Sequence, residues 1–65
     1  MTTEQQTTLD GKLARYIVRH ADGSDIHDEF GARGQMTATR REAEELAQLH
    51  RQAGSDVRVD RLSDE

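Results

Sequence analysis

The densest group of side chains able to do chemistry lies between His20 and Glu29: His20, Asp22, Asp25, His27, Asp28 and Glu29. Imidazoles among carboxylates are the donors that zinc or another divalent cation takes. The spacing argues the other way. On an extended strand Asp25 and His27 share a face, whereas Asp28 and Glu29 point to opposite faces. No Asp-x-Asp-x-Asp-Gly run offers a calcium loop. A solvated hairpin, whose charges keep a sheet edge from pairing with other chains, accounts for the same residues. No metal or other cofactor is expected.

Arginine supplies the second chemistry. Eight of the nine basic residues are arginine, the exception being Lys12. Guanidinium groups are forked donors suited to carboxylates and phosphates. Arg15, Arg19 and Arg58 are candidates for one patch, with Ile17 among them as an apolar contact. Arg40 and Arg41 open a helix, where the macrodipole disfavours cations. Pairing with Glu44 and Glu45 at i,i+4 offsets this, so surface helix charge is preferred over a phosphate or acidic-partner site. His50, on an apolar helix face, reads as a packing residue rather than a pH-sensitive contact. Catalysis finds little support: the chain has no cysteine, no glycine-rich phosphate loop and no Gly-x-Ser-x-Gly elbow.

These residues must be positioned by few elements. The chain has 65 residues, of which 34% are charged and 32% hydrophobic, with a formal net charge of −4. That allows one small domain with a thin core and no disulfide staple. Residues 1–10 read as a disordered polar tail and 11–65 as the domain. No apolar run approaches a membrane span, and the polar start reads as no export signal. The chain is therefore expected in the cytoplasm, away from membranes.

Lys12 to His20 reads as a strand with Tyr16 and Val18 on one face and Arg15, Ile17 and Arg19 on the other. Ala21-Asp-Gly-Ser24 supplies a turn. Asp25 to Phe30 reads as a returning strand, with Phe30 opposite Tyr16 and Asp28 opposite Val18, the register that gathers apolar side chains. Gly31-Ala-Arg-Gly34 reads as a flexible link. Thr39 and Glu42 form a capping box for an amphipathic helix running to Ala53, stopped by Gly54. Asp56 to Leu62 alternates as a last strand, with Val57 and Val59 inward and Arg58 and Asp60 outward.

The stretch Thr39-Arg-Arg-Glu-Ala-Glu-Glu-Leu-Ala through Ala53-Gly-Ser-Asp-Val-Arg-Val59 resembles the helix-plus-strand half of peptidoglycan-binding SPOR domains over about a third of the chain. The resemblance implies a helix handed directly to a strand. The preceding half-repeat of that family is missing, so the peptidoglycan-binding role is not carried over.

The expected fold is a small α+β domain, β-β-α-β, with a three-stranded antiparallel sheet of order 2-1-3 and one helix on one face. The expected function is that of a non-enzymatic accessory or regulatory module acting through protein–protein contacts, as a homodimer formed through the open face around Ile17 or through a strand edge. The alternative is a nucleic-acid-binding module using Arg15, Arg19 and Arg58. It is disfavoured by the acidic total charge and by the shortage of exposed aromatic residues for base stacking. Arginine pairing with Asp60 and neighbouring acids would account for the same patch.

Overall fold

The computed structural model describes residues 6–62. Within them run β1 (Tyr16–His20), a short 3-10 helix (Ala32–Gln35), β2 (Met36–Thr37), α1 (Arg40–Gln52) and β3 (Val57–Arg61). The strands form one antiparallel sheet in the order β2-β1-β3. This is the topology expected from the sequence, and α1 lies on one face of that sheet.

The β-branched pair at the centre of β1 explains the layering, because alternation sends Val18 to the helix side and Ile17 to the other. Val18 is fully buried against Ala43 and Ala47 of α1 and Val57 of β3; Tyr16, Ile26, Leu46 and Val59 pack around them. Burial of a side chain of this size contributes roughly 1.5–3 kcal/mol. The helix turns its two buried alanines, spaced i,i+4, onto the sheet, so small side chains occupy the centre of the contact.

Ile17, expected on an open surface, is 2% exposed. The middle strand gives it a neighbour on each side, Met36 on β2 and Asp60 on β3. It is therefore a buried residue of the outer sheet face and offers no contact area for a partner.

The helix ends follow the sequence signals. The Thr39 hydroxyl accepts the Glu42 amide at 3.2 Å, and the Thr39 amide donates to the Glu42 carboxylate at 3.3 Å. At the far end Gly54, at φ 95°, donates to the Arg51 carbonyl and Ser55 donates to the His50 carbonyl. These two bonds make a Schellman cap, whose left-handed residue has to be glycine or nearly so.

The second strand lies elsewhere than the sequence suggests. Tyr16 pairs with Thr37 and Ile17 with Met36, so Phe30 and Asp28 take no part in the ladder with β1. The Asp-Gly turn does form: Gly23 donates to the His20 carbonyl, and the His20 amide donates to Ser24. The returning chain, however, keeps one bridge only, Arg19 with Asp25. Asp28 then reverses it, its carboxylate accepting the Phe30 amide at 2.8 Å and its carbonyl accepting Gly31. An aspartate that binds the backbone two residues on competes with a strand ladder. The segment expected to be a flexible link is the 3-10 helix.

Gln35 holds this loop to α1. It is 3% exposed; its amide nitrogen donates to Asp28 at 2.8 Å, and its amide oxygen meets His50 Nε2 at 2.6 Å. An ionised carboxylate only accepts, which fixes the amide orientation and puts a proton on His50 Nε2. His50 thus pairs with a buried polar side chain as well as packing. A Cβ at Gly34 would collide with the Asp28 carboxylate, so the close approach needs glycine there.

Of the expected tail, residues 1–5 lie outside the described residues. Residues 6–14 double back on themselves: Thr8 donates to the Lys12 carbonyl, Ala14 donates to Gln6, and Thr7 bridges Leu13. Thr8 and Ala14 are buried. The segment is tied to the 3-10 helix by Arg33, which donates to the Thr7 carbonyl and hydroxyl.

Candidate interaction site

Of the arginines chosen from the sequence, Arg19 and Arg58 come together on the outer sheet face, where carboxylates hold both. Arg19 and Arg58 stand opposite each other on β1 and β3. Asp60 sits between them, 3.0 Å from Arg19 Nη1 and 3.1 Å from Arg58 Nε. Asp25 takes Arg19 Nε at 3.0 Å. The bond to Asp60, and secondarily that to Asp25, raises the Arg19 pKa above its usual range, so this cation is fixed at every relevant pH. Arg15 is exposed beside β1; its amide donates to Thr37 and its carbonyl accepts Leu62. The cross-strand pairing with Asp60 expected from the sequence is present.

The three aspartates of the polar hairpin are held by neighbouring groups. Asp22 accepts the Ser24 amide at 2.9 Å and the Ser24 hydroxyl at 2.7 Å, which together lower its pKa. Asp25 is engaged by Arg19 and Asp28 by Gln35. Among the described residues, no three His, Asp or Glu side chains gather as a metal-holding group.

A second concentration of arginine lies on the helix side, around Arg40, whose charge the sequence suggested was surface helix charge rather than a phosphate or acidic-partner site. A cleft of about 300 Å³ runs between α1 and β3, lined among the described residues by Arg40, Arg51, Arg58 and Arg61, with Tyr16 and the carboxylate of Glu44. The i,i+4 pair Arg40–Glu44 spans 3.4 Å between exposed side chains. Arg51 Nη2 donates to the Val57 carbonyl at 3.0 Å, a bond that leaves its charge uncompensated. Among the described residues, no carboxylate pairs with Arg61. A signal for this cleft exists in the sequence: Arg61 continues the inward-facing series of Val57 and Val59, and a charge there needs an opening.

The cleft borders an open strand edge. Leu62 donates to the Arg15 carbonyl at 2.7 Å, and Ala21 donates to the Asp56 carbonyl at 2.9 Å. Hydrogen-bonded and non-bonded pairs alternate along an antiparallel ladder. The register between these two ends makes Ile17–Asp60 and Arg19–Arg58 the bonded pairs. Val57, Val59 and Arg61 therefore turn their N–H and C=O groups away from β1, and among the described residues no strand pairs with β3 on that side.

No helix among the described residues is long and apolar enough to cross a membrane. The chain matches no protein-family model, and the searches of curated proteins and of solved structures give no match either.

Proposed function

We propose that this chain is a small non-enzymatic accessory module that binds another protein along the outer edge of β3. One observation carries the reading: an ordered edge strand with the backbone groups of Val59 and Arg61 directed outward beside a cleft. Such an edge is a template for an added strand, with main-chain bonds giving affinity and the flanking side chains giving choice. The alternating charges Arg58, Asp60 and Arg61 discourage indiscriminate pairing. The outer face supports the reading by default, because its central isoleucine is buried and its Arg19 and Arg58 are held by Asp60.

The test uses chemical synthesis of the full chain with an N-methyl group on Val59. This removes an outward N–H and leaves side chain and inner ladder intact. Crosslinking in extracts of the native host is expected to capture a stoichiometric protein partner with the unmodified chain and to lose it with the N-methyl chain. Equal capture by two folded chains would remove the β3 edge from the interface.

A further inference from the structure

We infer that the segment docking on β3 is an extended acidic one, with carboxylates at alternate positions, laid as a fourth strand so that these enter the arginine cleft. The inference rests on the binding role proposed for the β3 edge and adds the chemistry of the partner.

The position along the edge follows from Arg51. Its guanidinium occupies the Val57 carbonyl at 3.0 Å, so the open part of the edge is the half that carries Val59 and Arg61. That half borders the cleft, where Arg58 is held by Asp60 and Arg40 by Glu44, while Arg51 and Arg61 have no carboxylate partner among the described residues. An added strand presents every second side chain to the helix side. Acidic residues two apart on that face meet Arg61 first and Arg40 or Arg51 next. Forked guanidinium donors match carboxylates in two-bond geometry.

Two other occupants fit less well. A second copy pairing β3 with β3 about a two-fold axis would merge two arginine clefts into one and set like charges together. Nucleic acid would use the guanidinium groups but not the peptide edge. The only aromatic lining the cleft is Tyr16, half-buried against the core, and base stacking needs exposed rings.

The experiment is an NMR titration of the full chain with three probes. One is a short capped peptide alternating glutamate with valine, one is the same peptide with lysine for glutamate, and one is a short oligothymidine. The inference expects saturable shifts centred on the Val59 and Arg61 amides with the glutamate peptide alone, weakening as salt rises. Arg61→Ala is expected to weaken this binding roughly tenfold, the equivalent of one charge-assisted contact. Arg61→Lys should recover part of it, and N-methyl Val59 should abolish the shifts while circular dichroism stays unchanged. Shifts with oligothymidine and none with the glutamate peptide would overturn the inference in favour of a phosphate site. Val59 and Arg61 amides protected from exchange in a free dimer would overturn it in favour of a second copy. If no acidic probe binds although the host partner is captured in an edge-dependent way, the acidic chemistry fails and the docking role stands. If host capture fails as well, both fall.

Discussion

On the outer face of the sheet, Arg19 and Arg58 stand across from each other with the Asp60 carboxylate between them, and Asp25 closes the other side of Arg19. In the cleft between α1 and β3, Glu44 pairs with Arg40, and among the described residues Arg51 and Arg61 have no carboxylate partner. Arg58 belongs to both regions, as a long side chain on an edge strand can. The two regions hold the same residue type and differ in how many carboxylates the backbone delivers. On β3, Asp60 alternates to the same face as Arg58, so the outer face is supplied. The inward series Val57, Val59, Arg61 has no acid, so the cleft is not. Neutralisation here is a consequence of strand parity, and parity decides which arginines remain for a partner.

The largest test of this contrast is Ile17. If the outer face is a buried layer tied off by ion pairs, Ile17→Ala should cost about 2–4 kcal/mol in urea unfolding, as for other buried aliphatic truncations. A loss below about 0.5 kcal/mol, the range of surface substitutions, would return Ile17 to the surface and break the contrast. Next comes Asp60. Asp60→Ala removes two partly exposed pairs and leaves Arg19 and Arg58 directly opposite as like charges. A destabilisation of about 1 kcal/mol is expected, from pairs worth a few tenths to one each. It should shrink in high salt as repulsion is screened. A salt-independent loss would mean that Asp60 acts through packing alone.

How far the sequence revealed these regions depended on periodicity. The helix was legible because Thr39, Glu42, Ala43, Ala47 and Gly54 each carry a local signal that the fold uses unchanged. β1 and β3 were legible through alternation, and with them the 2-1-3 order. β2 was not, since Met36–Thr37 is too short to show a period. The alternating Ile26, Asp28 and Phe30 imitated a strand, while Asp28 in fact turns the chain and grips Gln35. Burial of Ile17 and the Gln35–His50 bond arise between distant segments, and no local pattern encodes them. The cleft was half legible: Arg61 at an inward strand position was the clue, and its meaning needed the helix beside it.

Arg61→Ala is the converse of Asp60→Ala. Arg61 is exposed and lacks a carboxylate partner among the described residues, so its removal should leave stability within about 0.5 kcal/mol. A larger loss would show that the cleft arginines are structural like those of the outer face, and the contrast would collapse from the other side.

The smallest effect belongs to neither region and serves as their control. Asp22 lies in the turn after β1, where the Ser24 amide and hydroxyl stabilise its ionised form and lower its pKa. A carboxyl whose folded value lies below its unfolded value binds its proton more readily in the unfolded chain. Its contribution is therefore complete above the ordinary aspartate range, near about 3.9, and disappears as pH falls through the lowered folded value. Asp22→Asn keeps an acceptor for Ser24 and cannot titrate. The melting midpoints of the two chains should differ slightly at neutral pH and converge in strong acid. A gap that instead persists through strong acid would mean that asparagine perturbs the turn itself, and the difference could no longer be attributed to the charge on Asp22.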